Sequence, residues 1–447
     1  MNPDFLLTSP LARRLYHDCA ADLPIIDYHN HLSPAELTSS RHYRNITELW
    51  VASDPYKHRA MRILGVEERL ITGDASDFEK FHAWYEILPR LIGNPLFDWA
   101  AMELSTVFDM ELLPFRDSRG VWDSLNQALE TMTPGDILSK FNIAYSAPCT
   151  ALADDLSVFN GKDLAPSLRG DDLLLPSREL LGRLEGLTGN AICSLSDYLA
   201  AAEQRLEAFY QAGCRFADHA LDNGFTYLPE DGKNDLRFAA LLRGETLTGE
   251  DAIFLRSEIL KRLAGLYAQK NLTVQLHIGA QRSTSTRLRK AAGAAGGYAA
   301  IGSAANVDSL VALLDDIEKQ PQGLPRVLLF TLNPADNAVM ATLSGSYSAD
   351  GKEALVSQGP AWWWCDHYQG IRDMLDNFCC HSVLSSFVGM TTDSRSVLSF
   401  VRHDYFRRCL CQWMADMVDN HRLPNDMGLL EDTLRRICYQ NANSRLQ

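Results

Sequence analysis

Apolar runs of strand length alternate with stretches of helical periodicity from about residue 190 onward. Amphipathic helices are predicted over 196–213, 250–270 and 307–319. Each is followed by a short and nearly continuous apolar run, which is typical of a parallel strand that helices cover on both faces. These runs lie at 214–219, 272–279 and 326–332.

Further strand-like runs bring the total to about eight, a number that fits one barrel. They are the run that contains Ile25, two weaker runs at 142–147 and 164–167, and two later runs at 355–364 and 386–393. We therefore predict an α/β fold, a distorted (β/α)8 barrel of the TIM type with a helical insertion after the first strand. A doubly wound open sheet fits the same alternation, and the two weak strands are where the barrel prediction could fail.

The predicted strands are unevenly spaced near the N-terminus. Roughly 110 residues separate the first strand from the second, whereas a barrel unit needs a few dozen. The surplus is mostly helical, so we expect a single domain over 1–447 in which residues 35–135 form a mainly helical insertion over the active site. The segment 281–305 is rich in Ala and Gly, has too little bulk to build a core, and is predicted to be a mobile loop.

Composition and charge argue against several classes of function. The 447 residues carry a formal net charge of −15 and no run rich in Lys or Arg, which argues against nucleic acid as a partner. No apolar stretch reaches the length of a membrane span and no secretion signal is visible, so we expect a cytoplasmic protein with no membrane partner. The ten cysteines include no Cys-x-x-Cys pair and are expected to be reduced thiols.

The first predicted strand ends in two histidines, His29 and His31, with Asp27 before them. Alternate residues of a strand point to the same face, so the two imidazoles are expected to project side by side. Two histidines held in this way form two-thirds of a typical catalytic metal site, which keeps one position open. Taken alone, the pair is equally well explained as two polar residues without a metal, at the junction of a strand and a loop.

Other predicted strands also end in residues that can carry chemistry, and in barrel enzymes the chemistry lies at the C-terminal ends of the strands. These residues are Asp218, His219, His277, Asp393 and Arg395. A single polar strand end can be a loop contact or a helix cap, but four such ends among about eight strands favour a shared site. Because barrel closure brings the first and last strands together, Asp393 is the expected third ligand beside His29 and His31. Two histidines and a carboxylate suit Zn²⁺ or a similar divalent ion.

Several motifs in the chain are long and specific. They lie at 27–34, 275–280, 362–363, 387–396 and 402–408, together with the strand that contains Asp218 and His219. With these motifs the chain resembles the uronate isomerases, a branch of the amidohydrolase superfamily. The resemblance extends over essentially the whole chain, from Phe5 to Asn443.

The resemblance implies an enzyme that interconverts an aldose acid and a ketose acid, D-glucuronate with D-fructuronate and D-galacturonate with D-tagaturonate. It also implies a divalent metal, with Zn²⁺ the first candidate, and leaves open whether turnover requires it. The expected partner is the small hexuronate substrate, and a homo-oligomer is expected. By position, the implied residues are a metal site of His29, His31 and Asp393, catalytic Asp393, Arg395 and Tyr56, and substrate-binding Arg169, His277 and His219.

These roles are chemically coherent. Moving a carbonyl between C1 and C2 requires a base that carries a proton between the two carbons through an enediol, and a group that stabilises the oxyanion. Asp393, alone or with Tyr56, can move the protons, while Arg395 or the metal can stabilise the charge. The planar fork of Arg169 matches a carboxylate. Without the resemblance, Tyr56 equally fits a lid residue packed on Trp50, and Arg169 a solvated loop charge.

The chain departs from the family pattern in parts of the expected pocket. Pro55 stands in place of a histidine, Cys365 in place of an asparagine, 149–155 in place of a Thr-Asp-Asp-Pro segment, and 283–285 in place of three asparagines. A shifted preference among hexuronate substrates is therefore also a prediction from the sequence.

Two alternatives stay open at this point. One is a metal-dependent hydrolase of the same superfamily, in which the predicted metal site activates a water molecule, although no lysine stands at a strand end. The other is a catalytically altered protein that binds a sugar acid without turnover. The intact run from Asp393 to Arg395 argues against this second alternative.

Overall fold

Residues 2–447 are described by a computed structural model, and they form an α/β fold around one parallel sheet. In chain order the strands are β1 (Ile25–Asn30), β2 (Ile143–Ala151), β3 (Ser167–Arg169), β4 (Phe216–Leu221), β5 (Thr273–Ile278), β6 (Ala280–Gln281), β7 (Ala300–Ile301), β8 (Arg326–Thr331) and β9 (Val356–Gln358). Seven of them form the sheet in the order β1-β2-β3-β4-β5-β8-β9, with parallel neighbours throughout. The remaining two, β6 and β7, make a separate antiparallel pair.

The sheet is curled, as shown by contacts inside it between residues of strands that are not neighbours. The ring of Tyr28 on β1 stacks on Phe216 of β4, with 5.3 Å between the ring centroids. From β5, Gln275 Nε2 donates a hydrogen bond to the backbone oxygen of Tyr28 at 3.3 Å. Every residue of β1 and β5 is buried, as expected for strands covered on both faces. The prediction of an α/β fold with a parallel sheet is confirmed.

Helices surround this sheet. In chain order they are α1 (Pro10–Arg14), α2 (Pro34–Leu37), α3 (Ile46–Trp50), α4 (Pro55–Ile63), α5 (Asp77–Ile87), α6 (Pro95–Phe108), α7 (Ser118–Leu129), α8 (Pro134–Leu138), α9 (Arg178–Thr188), α10 (Leu195–Gln211), α11 (Asn234–Leu242), α12 (Gly249–Gln269), α13 (Thr286–Ala292), α14 (Val307–Glu318), α15 (Asn337–Leu343), α16 (Tyr368–His381), α17 (Val401–Asp419), α18 (Met427–Arg435) and α19 (Asn441–Asn443). Within the described range 2–447, none of the helices is both long and apolar enough to cross a bilayer.

The helices between β1 and β2, α2 to α8, occupy the part of the chain where the sequence predicts a mainly helical segment. Their buried residues form one apolar core together with α16, α17 and α18. A second core lies between the sheet and helices α9 to α12, α14 and α15. A third, smaller core fills the inside of the curled sheet and includes Tyr28, Phe216 and Phe330.

The predicted eighth strand at 386–393 is not a regular strand in the structure. Gly389 and Asp393 both have left-handed backbones, with φ of 77° and 47°, and such residues interrupt a β ladder. The segment still runs beside β1, because Asp393 N donates to His29 O at 3.0 Å and His31 N donates to Ser394 O at 2.7 Å. The prediction was therefore wrong about regular strand structure and right about proximity to β1.

The segment 281–305, predicted to be a loop, contains helix α13 and the strand β7. Its small residues allow close packing on α4. A Cβ atom at Gly297, where φ is 79°, would lie 2.1 Å from the backbone oxygen of Pro55. Arg59 Nη1 of α4 donates to Ala299 O at 3.1 Å. The scarcity of bulky side chains thus reflects close contact between two backbones as well as a lack of core residues.

Candidate active site

A cavity of about 940 Å³ lies at the C-terminal ends of the strands. The sheet side contributes His31 after β1, Cys149 of β2 and Arg169 of β3, and the closing segment contributes Asp393. The helical side contributes Tyr56 from α4, and the segment 281–305 completes the wall. The cavity therefore lies where the sequence places strand-end chemistry.

His29 faces the inside of the sheet because β1 carries one extra residue. From Asp27 to Asn30, β1 advances three positions while the facing strand β2 advances two. An extra residue of this kind is a β-bulge, which re-aims the side chains beside it. Tyr28 packs inside the curl, and the next side chain, His29, also points inward, with its ring centroid 4.6 Å from that of His277.

Asp393 joins the two histidines of the first strand. Its Oδ1 atom lies 3.3 Å from His29 Nε2 and 3.1 Å from His31 Nε2. Trp362 Nε1 donates a hydrogen bond to Oδ2 at 2.7 Å. Burial raises the pKa of Asp393, but the hydrogen bonds from His29 and His31 hold this pKa well below its usual value, so the carboxylate is ionised at neutral pH. The structure thus brings together the three residues predicted as metal ligands.

Two further groups, Cys149 and Asp218, belong to the same cluster. Cys149 Sγ lies 3.5 Å from His29 Nδ1 and 3.6 Å from Asp218 Oδ1. Burial and the charge of Asp218 raise the pKa of Cys149, but His29 and His31 lower it to about 7. Sequence reasoning placed Asp218 at a strand end and gave Cys149 no role. The available signal was the apolar run that starts at Ile143, because this strand continues past position 149 and carries the thiol to the same edge.

Arg169 is held at the cavity wall by carboxylates. Its Nη2 atom donates to Asp171 Oδ2 at 2.6 Å, and Nη1 lies 3.4 Å from Asp218 Oδ2 and 3.5 Å from His31 Nε2. Burial lowers the pKa of Arg169, but the combined charges of Asp218, Cys149, Asp171 and Asp393 outweigh that effect and raise it. About a quarter of the side chain, 26%, is exposed, so N–H groups remain available to an anion in the cavity.

Tyr56 is positioned by a buried ion cluster at the start of α4. Asp54 caps the helix by accepting hydrogen bonds from Tyr56 N at 2.9 Å and Lys57 N at 3.3 Å. The buried Lys57 Nζ donates to Trp50 O at 2.8 Å and pairs with Asp54 at 3.0 Å and Glu103 at 3.4 Å. Because a buried charge must keep its partners, this cluster fixes the position of the first turn of α4.

The hydroxyl of Tyr56 is buried and has no hydrogen-bond partner among residues 2–447. The guanidinium of Arg402 lies over the face of its ring, 5.0 Å from the ring centroid. Burial raises the pKa of Tyr56, so the phenol is protonated at neutral pH. Tyr56 therefore lines the cavity with an unused proton donor.

The other predicted residues take different positions. Arg395 lines the cavity with an exposed side chain. His277 is buried behind the lining, where its ring meets that of His29, and burial lowers the pKa of His277 well below its usual value. His219 is on the opposite face of β4, with Nε2 3.0 Å from Tyr267 Oη. Adjacent strand residues face opposite sides, so β4 turns Asp218 inward and His219 outward.

The donor set at the cavity fits a divalent metal ion. Donor atoms of His29, His31 and Cys149 all lie within 4.8 Å of one another. Neighbouring ligands of one zinc ion with bonds of about 2.1 Å are separated by about 3.0–3.5 Å. The two distances from Asp393 Oδ1 to the histidine nitrogens, 3.3 and 3.1 Å, fall within that range. Imidazole, carboxylate and thiol groups in this arrangement could hold such an ion.

The family model for glucuronate isomerase matches residues 1–445 of the chain. The chain belongs to the glucuronate isomerase family. It is 38% identical over 458 residues to a uronate isomerase of Caldanaerobacter subterraneus subsp. tengcongensis, covering 99% of this chain and 98% of the relative. A relative at this identity and coverage shares the fold along its whole length, so the resemblance inferred from the motifs is confirmed.

Two solved structures are similar to this family member over its full length. The uronate isomerase of Thermotoga maritima has a TM-score of 0.92 and 25% identity, covering 100% of this chain and 99% of that one. The glucuronate isomerase of Caulobacter crescentus has a TM-score of 0.90 and 25% identity, with coverage of 100% and 96%. The arrangement of sheet and helices described above is therefore that of the family.

Proposed function

We propose that the chain interconverts aldose and ketose hexuronates, D-glucuronate with D-fructuronate and D-galacturonate with D-tagaturonate. Membership of the family along the whole chain supports this activity. The observation that carries it is one cavity lined by an ionised carboxylate, Asp393, and a protonated phenol, Tyr56, with Arg169 in the same wall. Environments that push the pKa values of two groups apart assign one as base and the other as acid.

In the proposed reaction, Asp393 accepts the proton from C2 of the aldose while Tyr56 protonates O1, which gives the enediol. The hydroxyl proton on O2 then returns to Tyr56, and Asp393 delivers its proton to C1, so that the ketose forms and both residues recover their starting states. Arg395 stabilises the negative charge that develops on the oxygens. No net proton is gained or lost.

Arg169 is proposed to receive the substrate carboxylate. Its guanidinium is already oriented by Asp171 and Asp218, so little side-chain entropy is lost when an anion binds. Contact at this end of the sugar also determines which carbon reaches Asp393. Substrate binding by His277 and His219 stays a prediction from the sequence. In the structure His277 lies behind the lining in ring contact with His29, and His219 lies on the outer face of β4.

We propose that His29, His31 and Asp393 hold a divalent ion, with Zn²⁺ the first candidate. When bound, such an ion would supply a Lewis acid that polarises an oxygen of the substrate. The chain's own contribution is the orientation of the donors, which the bulge in β1 and the contact of Trp362 Nε1 with Asp393 Oδ2 maintain.

The sequence-based expectations about architecture are kept as proposals. The sheet is proposed to close as a distorted (β/α)8 barrel, with the segment up to Ser394 beside β1 in the place of an eighth strand. The two backbone hydrogen bonds between these segments support this closure. Residues 35–135 are proposed to be an insertion that covers the active site within one domain. A homo-oligomer in the cytoplasm stays a prediction from the sequence.

The two alternatives have less support. A hydrolase of this superfamily would often use a lysine ligand, and the lysine that lines the cavity, Lys57, is engaged with Asp54 and Glu103. A protein that binds a sugar acid without turnover would not need an acid and a base at one cavity. Asp393 and Tyr56 supply both.

One assay separates these functions. The purified protein is incubated with D-glucuronate, with D-galacturonate and with other hexuronates, and ketose formation is followed before and after treatment with a chelator. We expect ketose from at least one hexuronate. Hydrolysis of an amide or lactone without isomerisation would support the hydrolase, and saturable binding without turnover would support the binding protein. Either result would overturn the proposed activity.

A further inference from the structure

We propose that Cys149 supplies a sulfur ligand to the metal ion of the His29, His31 and Asp393 site. This inference rests on the proposed function only through that metal site. It gives the ion four protein donors: two imidazoles, one carboxylate and one thiolate. The family resemblance does not name this residue as a ligand, and sequence reasoning gave it no role.

The position of the thiol fits that role. Cys149 Sγ lies 3.5 Å from His29 Nδ1 and 3.9 Å from His29 Nε2. Two ligands of a tetrahedral zinc ion with a Zn–S bond of about 2.3 Å and a Zn–N bond of about 2.1 Å are separated by roughly 3.6 Å. Cys149 also forms a group of possible ligands with His29 and His31, with all donor atoms within 4.8 Å. From His29 Nε2, the nitrogen that also contacts Asp393 Oδ1, the sulfur is about 0.3 Å beyond this separation, so a small side-chain movement brings it to ligand distance.

Buried thiols in the described chain have a different environment from that of Cys149, which is partly exposed. Cys214 Sγ donates to the backbone oxygen of Phe216 at 3.2 Å, and Cys365 Sγ donates to that of Leu332 at 3.3 Å. These are the contacts of thiols that serve only as small core residues. Cys149 instead faces the ring nitrogens of a histidine and a carboxylate, which are groups that share metal ions with thiolates.

A sulfur ligand has two consequences for the site. Thiolate is a soft donor, so it favours Zn²⁺ and Co²⁺ over the harder Mn²⁺ and Mg²⁺. Four protein donors also fill the four positions of tetrahedral zinc, so a substrate oxygen would contact the ion only as a fifth ligand and no position is kept for a water nucleophile. Such a site would orient the cluster and the substrate, and it would favour the proposed proton transfer over hydrolysis.

The test uses Co²⁺ as the probe, because a cobalt–thiolate bond produces a sulfur-to-metal charge-transfer band in the near ultraviolet. The full-length apoprotein, Cys149→Ser and the control Cys193→Ser are loaded with one equivalent of Co²⁺. Cys193 is exposed and does not line the cavity, so its replacement removes a thiol without touching the site. We expect the band in the wild type and in Cys193→Ser, and its loss in Cys149→Ser.

Competition between Zn²⁺ and Mn²⁺ measures the first consequence, the preference of a thiolate for the softer ion. Cys149→Ser should bind Zn²⁺ about 10-fold more weakly or worse, with a smaller change for Mn²⁺, so that the preference between the two ions narrows. Cys149→Asp restores an anionic donor and should bind one metal ion without the band. This second variant separates loss of the sulfur from loss of the folded site. Circular dichroism checks that both variants are folded.

The outcomes distinguish this inference from the proposed function. Co²⁺ bound by the wild type without a charge-transfer band would remove Cys149 from the ligand set and leave the other three donors. Absence of stoichiometric metal binding in the wild type would overturn the whole metal site. In both cases the isomerase assay on the same preparation remains an independent test of activity. Loss of the band in Cys193→Ser as well would also overturn the assignment.

Discussion

Tyr56→Phe removes one oxygen atom from the wall of the cavity and should change stability and activity in opposite directions. The Tyr56 hydroxyl is buried without a hydrogen-bond partner among the residues of the described range. A buried hydroxyl without a hydrogen-bond partner lowers the free energy of unfolding by about 1–3 kcal/mol. The same hydroxyl is the proposed proton donor to O1 of the substrate. Its removal therefore relieves the free enzyme of an unsatisfied group and deprives the reaction of an acid.

The two effects differ in size. We expect the free energy of unfolding to rise by about 1 kcal/mol, since part of the relief is lost with the packing of the oxygen atom. In a chain of 447 residues this corresponds to an increase in Tm of about 1 °C. Loss of a positioned general acid should lower kcat by about 100-fold or more, which is a change of about 3 kcal/mol in the barrier.

Two matched variants serve as controls, with thermal unfolding and hexuronate turnover measured on all of them. Tyr145 also has a buried hydroxyl without a partner in the described chain, and it does not line the cavity. Tyr145→Phe should therefore gain similar stability and keep full activity. Tyr198 Oη donates to Leu173 O at 2.8 Å, so Tyr198→Phe should lose about 1 kcal/mol and keep its activity. Full activity in Tyr56→Phe, or a loss of stability as large as that of Tyr198→Phe, would refute the reasoning.

Three further predictions concern the buried Lys57, the cavity residue Arg169 and the buried His58. Glu103→Gln should lower the free energy of unfolding in urea by about 1–3 kcal/mol, because the buried Lys57 Nζ loses one of its two carboxylate partners. Arg169→Lys should raise KM for hexuronates about 10-fold or more, with a smaller effect on kcat, because an ammonium cannot reproduce the fork; an unchanged KM would exclude Arg169 as the carboxylate receptor. Burial lowers the pKa of His58 below 6.5, so the unfolded chain binds a proton that the folded chain does not. Stability should therefore decline as the pH falls below about 6.5, and urea titrations should show a shallower decline in His58→Gln.

The alternation of side chains between the two faces of a strand explains which of the predicted site residues point toward the cavity. The apolar run before His29 and the one before His277 are long enough to identify their strands, so both residues were placed at the correct edge. Asp218 and His219 are adjacent, and this alternation allows only one of them to face inward. The sequence shows that one faces in but not which one, since that depends on the register of β4 against its neighbours.

Other features depend on contacts between distant parts of the chain. The extra residue in β1 has no signature in its own sequence, because a bulge is defined by the facing strand. The small residues of 281–305 suggested a flexible loop, but Gly297 is required by the close approach of Pro55 O. The weak strand at 142–147 extends to Ala151 in the structure. That extension carries Cys149 into the site, and local pattern alone placed the strand end too early.

The site depends on the alignment of two segments more than 360 positions apart in sequence, and Asp27 is the residue that couples them. Its buried carboxylate accepts hydrogen bonds from Thr392 N at 2.7 Å and Thr391 Oγ1 at 2.9 Å, and it contacts His403 Nε2 of α17 at 3.1 Å. Burial raises the pKa of Asp27, but the contact with His403 and the other hydrogen bonds lower it, so the carboxylate stays ionised and keeps all its acceptor positions. The bulge in β1 turns His29 inward while Asp27 faces outward to these partners. A single strand thus turns His29 to the inside of the sheet and, from its other face, fixes the distance between His29 and the closing segment.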